Sequence, residues 1–375
     1  MKFIFALIIS ISTFASEPIA LPFISKLSGV DPFYGAAGGI KNIYKKGFDL
    51  LAVASFGDVK GFALLASNYP ITNDFKLSLG LLKSSEATYE TTYARGLKED
   101  IFYRQKLELS AINVNVKREL SKTSNLSLLL TLSKRKFLDY ETENEENIPI
   151  SLKRFFDEEA LTVAFKYSLD EVGETRLKNG KKVKAGLSYI SGREGQSDNL
   201  IVDLLASKHH VINNSSKVVG FLKSSHAFVL SEYKTSANEI DGECSTISDT
   251  TARANCNKLE SDVNKFIVAH NRYGTARPLG GNMGLRGYRE FRFKSAHNLM
   301  VGTEFDYIAI EKPEIHIVPF FETGFAHDRF ERIWDSARYN TGLSLRYYLG
   351  NMPIRLTGAT GNEGETYFLS AALPF

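Results

Sequence analysis

The sequence has little net charge and few long apolar runs. Its 46 Lys and Arg residues nearly balance 43 Asp and Glu residues, which leaves a formal net charge of +3 over 375 residues. So small a charge, spread along the chain, argues against nucleic acid as a partner. Beyond the N-terminus, no apolar stretch reaches the roughly 20 residues that a membrane-spanning helix needs. Helical periodicity is also scarce, so the mature chain is not predicted to cross a membrane with helices.

Cysteine is almost absent, because Cys244 and Cys256 are the only two in the chain. The N-terminal MKFIFALIISISTFAS places a lysine before an apolar run and small residues. This is the pattern of a secretory signal peptide over residues 1–16, with a short N-terminal anchor as the alternative. Export to an oxidising compartment favours a local disulfide between the two cysteines, with two free thiols as the alternative.

The residue types that enzymes use are not grouped along the sequence. His209 and His210 are neighbours on a predicted strand, so their side chains point to opposite faces. The other histidines considered stand singly, without the spacing of metal ligands: His226, His297, His316 and His327. No glycine loop has the helix context that phosphate binding needs. We therefore expect no enzymatic activity, no cofactor and no bound metal.

Most of the chain after residue 20 consists of short segments in which apolar and polar residues alternate. In residues 299–307, for example, Phe305 and Tyr307 share one face, whereas Glu304 and Asp306 share the other. This period of two is typical of β-strands. It predicts about sixteen strands, with approximate bounds 21–28, 33–44, 48–56, 61–69, 75–88, 101–119, 125–139, 159–170, 181–191, 199–211, 217–232, 296–308, 315–325, 338–349, 353–360 and 365–375.

One predicted strand changes phase along its length. Apolar residues occupy odd positions from Leu107 to Ala111 and even positions from Ile112 to Val116. A β-bulge adds one residue to a strand and so shifts the alternation from one face to the other. We therefore expect a bulge within residues 105–117.

Short and long connections alternate between the predicted strands. One set is tight, for example at 71–74, 121–125 and 213–216, whereas the other holds the long polar loops 139–158 and 233–295. This alternation is typical of an outer-membrane β-barrel, with short turns on one rim and long loops on the other. Closure also removes exposed sheet edges. The sequence therefore predicts an all-β protein, an antiparallel transmembrane barrel of about 16 strands. A soluble β-sandwich is the alternative.

The first and last predicted strands carry further features that bear on a barrel fold. Residues 365–375 alternate apolar side chains and end on Phe375, which is similar to the last strand of outer-membrane barrels. Pro374 departs from that pattern. Pro22 and Pro374 both lack an N–H, so the seam between the first and last strands would have fewer hydrogen bonds and would open more easily. The alternative is that both prolines simply end their strands.

The most glycine-dense segment, GGNMGLRGYREFRF at residues 280–293, carries a short motif of four residues: Leu285, Arg286, Gly287 and Tyr288. Leu279-Gly280-Gly281 begins just before it. Downstream lie Glu304 within Gly-Thr-Glu-Phe and the segment Val-Pro-Phe-Phe-Glu-Thr-Gly at 318–324, which contains Glu322 and Gly324. Together these elements resemble the BamA-like outer-membrane assembly and two-partner-secretion superfamily, the bacterial surface antigens. That family usually has Asp where Glu322 stands.

The resemblance implies a bacterial outer-membrane barrel that acts in membrane biogenesis or in the transport of protein or lipid. It also implies that the long loop folds inward. By alternation, Glu304 and Glu322 face the lumen, and Arg286 can serve both through the several donors of its guanidinium. Gly284 and Gly287 would let the loop backbone pass close to the wall. The alternative is that Arg286 is solvated and lines an open pore.

The predicted organisation is a signal peptide over 1–16 and a barrel over 17–375, whose long loop 233–295 carries the motif at 279–290. BamA-like insertases have polypeptide-transport-associated domains before the barrel, and we expect none here. A separate periplasmic protein could supply them. Outer-membrane lipids are the other expected partners. A passive, porin-like diffusion channel is the alternative function.

Overall fold

The computed structural model describes most of the chain. The described residues are 18–25, 33–43, 47–97, 102–142, 148, 158–173, 176–192, 195–236, 241–281, 284–349 and 352–371. The predicted signal peptide, Pro374 and the terminal Phe375 lie outside these ranges.

Within the described residues, sixteen strands form one antiparallel sheet in which each strand pairs with the next along the chain. The predicted all-β antiparallel fold is therefore confirmed. The strands are β1 (Pro18–Ser25), β2 (Phe33–Ile43), β3 (Phe48–Phe56), β4 (Val59–Pro70), β5 (Phe75–Thr91), β6 (Tyr103–Glu119), β7 (Ser124–Thr142), β8 (Glu158–Asp170), β9 (Gly180–Ser191), β10 (Asp198–Asn213), β11 (Ser216–Ser231), β12 (His297–Glu311), β13 (Glu314–His327), β14 (Arg338–Leu349), β15 (Met352–Gly361) and β16 (Gly364–Ala371).

Most predicted strand bounds agree with the structure to within a few residues, because alternation is a local property of the chain. Strand β1, for example, covers Pro18–Ser25, three residues earlier than the predicted 21–28. No ladder joins β1 to β16 among the described residues, although Cα atoms of the two strands come within 8 Å of each other.

The two faces of the sheet differ in character. We call the face covered by the connection between β11 and β12 the inner face, and the opposite one the outer face. On β12, Phe305 and Tyr307 are 40% and 43% exposed on the outer face, whereas Asp306 on the inner face is 1% exposed. Large apolar side chains therefore lie exposed on the outer face, and charged side chains are buried on the inner one.

The burial of side chains along strand β6 accounts for the change of phase in its sequence. Its inner positions Tyr103 and Leu107 are almost fully buried, whereas Ile112, on the outer face, is 56% exposed. The register shift falls between Lys106 and Leu107, but the unpaired extra residue is Leu138 on β7. The expectation of a bulge is thus corrected, because the alternation of β6 itself continues. Apolar residues occupy the inner positions in the first half of β6 and the outer positions in the second half. The change occurs because the two halves of the strand have different surroundings.

A helix lies within the long connection between β11 and β12, which is predicted from its sequence to be only a polar loop. Helix α1 covers Thr250–Tyr273, and the side chain of Asp249 caps it by accepting from the backbone N–H of Ala252 at 2.7 Å. Gly274, with φ of 79°, follows its last turn. Among the described residues, no helix combines the length and apolar character that crossing a membrane as a helix requires.

Helix α1 packs against the inner face of β5 to β7 through apolar contacts, and a disulfide joins it to the segment that precedes it. The predicted bond between Cys244 and Cys256 is present. The helix contributes Leu259 and Val263, both fully buried, to a cluster whose sheet residues are Ala87, Tyr103, Leu107, Phe137 and Tyr140. Burial of these side chains supplies the stabilisation that a polar 24-residue helix lacks by itself.

Candidate functional site

The candidate site is the segment that follows α1, here called the motif loop and comprising residues 274–281 and 284–296. Its two arms pair with each other at Leu279 and Phe293, whose backbone groups exchange hydrogen bonds of 2.9 and 2.8 Å. Between these residues the backbone N–H of Gly281 lies 3.1 Å from the Leu285 carbonyl oxygen and 3.0 Å from that of Tyr288. The motif is therefore a small, internally bonded turn.

Arg286 lies between the two acidic residues of the motif. Its backbone N–H and its Nε donate to the two carboxylate oxygens of Glu322 at 2.9 and 2.8 Å. Its Nη1 donates to Glu304 Oε1 at 2.8 Å. Arg286 is 8% and Glu322 1% exposed, so these charges interact with little screening by water.

Further groups on the inner face complete this arrangement. Arg346 of β14 donates to the second oxygen of Glu304 at 2.7 Å, and Asn340 donates to Glu322 at 2.9 Å. The Arg286 guanidinium carbon lies 3.5 Å from the centre of the Phe320 ring, a cation–π contact. Thr366 of β16 donates to the Arg286 carbonyl at 2.5 Å. Every carboxylate oxygen of the two acids therefore has a partner.

Small residues permit the close approach of the loop to the sheet. A Cβ atom on Gly287 would lie 2.5 Å from Asn340 Cβ and 3.0 Å from the Gly361 nitrogen. A Cβ on Gly324 would lie 2.6 Å from Leu285 Cδ1. Tyr288 packs beside them, and its hydroxyl donates to the Tyr339 carbonyl at 3.1 Å. At Gly287 the loop lies against strand backbone, whereas at Gly324 the sheet leaves room for the side chains of Leu285 and Leu279.

The other motif glycines act on the loop itself. Gly280 and Gly281 have φ values of 112° and 82°, in the region that L-residues rarely adopt. A Cβ on Gly281 would also overlap the carboxylate of Glu290. Both glycines therefore shape the turn, whereas Gly287 and Gly324 make room between the turn and the sheet.

Sequence reasoning missed two more arginines that fix the loop. Arg289 pairs with Glu90 at the end of β5 at 2.8 Å, and Arg292 pairs with Glu363 between β15 and β16 at 2.7 Å. Arg292 is 1% exposed. Both arginines stand in the motif segment, but their partners are far away in sequence. Because the loop reaches β5 and β15–β16 at once, the sheet curves around it.

The charged network continues along the inner face towards the short-turn end of β12 and β13. His316 Nδ1 lies 2.5 Å from Asp306, and its Nε2 lies 2.8 Å from Glu314. Arg176, from the β8–β9 connection, pairs with Glu314. Lys217 also approaches Asp306, at 3.6 Å. His316, expected to stand alone, is therefore part of this network.

Three other histidines lie in one row across neighbouring strands. His226 pairs in register with His297, which pairs with His327. The rings of His226 and His297 are 5.4 Å apart between centroids. The expectation that they stand singly is corrected, because strand pairing brings together residues distant in sequence. No group of metal-ligating side chains occurs in the part of the chain that the structure describes.

Lys294 joins the motif loop to the end of β5. Its Nζ donates to Thr91 Oγ1 at 2.5 Å and to the Thr92 carbonyl at 2.7 Å. Burial lowers the pKa of Lys294 to about 7, and three nearby arginines add to the effect: Arg135, Arg95 and Arg292. The docked loop therefore disfavours the protonated form of this lysine.

Docking of the loop at Lys294 is expected to weaken as the pH falls towards 7. The docked lysine has a pKa of about 7, and a solvated lysine one of about 10.4. Between these values the docked state binds fewer protons, so docking is stabilised as the pH rises and is weakest below about pH 7. Hydrogen-exchange protection near residues 292–297, corrected for intrinsic rates, should increase from about pH 7 to pH 9. Lys294→Met should remove the dependence, and a wild-type loop with constant protection would contradict it.

This chain is similar to proteins of known structure in its fold. No protein-family model and no curated protein sequence matches the chain. BamA from Haemophilus ducreyi lacking POTRA domains 1–3 gives a TM-score of 0.60 at 10% identity, covering 95% of this chain and 70% of that one. The chain has the BamA-like fold.

Two further structures with this fold are CdiB proteins. CdiB from Escherichia coli gives a TM-score of 0.60 at 9% identity and covers 96% of this chain. CdiB from Acinetobacter baumannii gives 0.54 at 12% identity and covers 94%. The chain spans 63% and 59% of the lengths of these two proteins. The BamA-like fold thus accounts for nearly all of this chain and for part of each CdiB.

Proposed function

We propose that this chain is an integral protein of the bacterial outer membrane, whose strands close into a sixteen-stranded transmembrane barrel. In this proposal it acts in outer-membrane biogenesis or in the transport of protein or lipid. The BamA-like fold and the proximity of β1 and β16 support closure. The exposed apolar side chains of the outer face support a lipid environment, since a soluble protein rarely leaves so many uncovered.

The observation that carries the functional proposal is the contact of Arg286 with both Glu304 and Glu322. Because this contact holds the motif loop against the inner face, it supports a lumen that is filled by the loop rather than by water. We therefore propose that the loop occupies the lumen and that transport requires its displacement. A passive diffusion channel would need a permanently open lumen instead.

Conductance in planar lipid bilayers distinguishes these functions. We expect the intact chain to give small, flickering currents, because the loop fills the lumen. Deletion of residues 280–290 should raise the conductance severalfold, since pores of this strand number enclose an aqueous channel once unobstructed. Stable, large currents from the intact chain would identify a diffusion channel and refute the plugged barrel.

We further propose that a separate periplasmic protein works with the barrel. Its test is affinity purification of the tagged chain from native membranes with mild detergent, followed by mass spectrometry. Recovery of one periplasmic protein in a stoichiometric amount would support the transport function. Recovery of the barrel alone, across several detergents, would contradict this partner.

A further inference from the structure

A groove of about 370 Å³ lies on the outer face between β4 and β8. Its volume lies within the range of roughly 300–1,000 Å³ that is usual for small-ligand sites. The groove is far from the motif loop, which covers the opposite face. Its lining changes from apolar to charged along the strand direction, and strand register defines where the change occurs.

The apolar half of the groove follows one row of paired residues. Leu81 pairs with Ile112 and Ile112 with Leu132, and these three residues line the groove. Leu64, which pairs with Leu81, continues the row beyond the lining. All four side chains are exposed, Ile112 by 56% and Leu132 by 54%. Such a row is stable next to hydrocarbon and costly next to water.

The polar half is the next outward-facing row, one step nearer the long-loop rim. Lys83 pairs with Ser110, Ser110 with Lys134, and Lys134 with Glu159. On β4 the same row begins with the exposed, apolar Phe62, which pairs with Lys83 and also lines the groove. Within the described residues Lys83 forms no ion pair, whereas Lys134 meets Glu159 at 2.7 Å with both side chains about half exposed. An exposed pair of this kind is weak and readily exchanges its partner.

The backbone of β5 is irregular beside the groove. Ser84 of β5 pairs with Gly61, and Glu86 pairs with Lys60, so that Ser85 is left unpaired between them. Such a bulge bends the strand and increases its twist. The short side chain of Ser110 leaves the space between the two flanking lysines open.

We propose that this groove binds a phosphate-bearing lipid, with an acyl chain along the apolar row and the phosphate above Ser110. The proposal rests on the membrane location proposed above. Lys83 and Lys134 are two strands apart, about 10 Å at the backbone, and both long side chains reach a phosphate held between them. Two ammonium groups and a hydroxyl give a phosphate charge-assisted donors. The lipid headgroup of a phospholipid and that of a phosphorylated glycolipid share this chemistry.

Native mass spectrometry of the full chain in detergent tests the proposal. The chain is titrated separately with phosphatidylglycerol, phosphatidylcholine and lipid A, and the dissociation constant of the one-to-one complex is measured. We expect the anionic lipids to bind more tightly than phosphatidylcholine. Lys83→Gln and Lys134→Gln should each weaken their binding about fivefold, the effect of about one basic residue at a lipid surface. Tighter binding of lipid A or of phosphatidylglycerol identifies the glycolipid or the phospholipid, and either supports the site.

Two further variants separate the groove from general surface charge. Ser110→Trp keeps both lysines but fills the groove, and it should abolish the one-to-one complex. Lys60→Gln removes a neighbouring exposed lysine that pairs with Glu86 and should leave binding unchanged. Equal affinities for wild type, Lys83→Gln and Lys134→Gln would overturn the proposal. A chain that fails to insert into bilayers would refute the membrane function, whereas insertion without lipid preference would refute the groove alone.

Discussion

Replacement of Arg286 by alanine is expected to release the motif loop from the inner face. The change leaves Glu304 and Glu322 largely buried with part of their hydrogen bonding lost, which typically costs roughly 3–5 kcal/mol. Because the loop can leave without unfolding the sheet, the cost should appear as local opening. Hydrogen-exchange protection of residues 284–292 should fall strongly, and bilayer conductance should rise.

A control variant and a double-mutant cycle make this result specific. Arg277→Ala removes an arginine of the same loop that is 64% exposed and pairs with Asp203, so it should change little. In a Glu304→Gln/Glu322→Gln background, Arg286→Ala should cost much less than in the wild type. Unchanged protection of the loop in Arg286→Ala would show that other contacts hold it. Additive effects in the cycle would show that the three groups do not act together.

Replacement of Gly287 by alanine should displace the same loop without removing any charge. The new methyl carbon would meet Asn340 Cβ at 2.5 Å and the backbone of residues 360–361 at 3.0 Å. Strand backbone cannot move aside easily, so we expect a cost of roughly 1–3 kcal/mol, the usual range for overpacking. Gly287 adjoins Arg286, and its displacement should lengthen the contacts of the arginine.

Limited proteolysis in detergent measures this effect. The loop of Gly287→Ala should be cleaved faster than that of the wild type, while the sheet remains resistant. Gly220→Ala provides the control, because a Cβ there would meet nothing within 4 Å. If Gly287→Ala and Gly220→Ala are cleaved at the same rate as the wild type, close packing at Gly287 does not hold the loop.

The strands could be predicted from the sequence, but the helix was missed. Alternation predicts a strand wherever one face is apolar, and it placed β9 and β13 to within one or two residues. Helix α1 is polar on average, so its few buried residues were lost among charged ones. Its ends did carry signals, with Asp249 as a capping residue and Gly274 after the last turn.

The motif segment could be identified from the sequence, whereas most of the residues that it contacts could not. Alternation assigns Glu304 and Glu322 to one face, and the resemblance to a known motif draws attention to Arg286. Arg346 lies on the polar face of its strand, but only the register between β12, β13 and β14 brings it to Glu304. The partners of Arg289 and Arg292 depend on how the loop crosses the sheet. No local pattern encodes that path.

The attachment of α1 to β5–β7 has a kinetic consequence for the motif loop. The loop is tethered at both ends, by the packed helix α1 before Gly274 and by β12 from His297 onward. Once Arg286 leaves its acids, the free segment therefore stays at a high effective concentration near them, as in any short intramolecular connection. Return is a first-order process that does not depend on protein concentration. Under the proposed transport function, a partner that binds the released segment would be needed to keep it displaced, since displacement alone would be rapidly reversed.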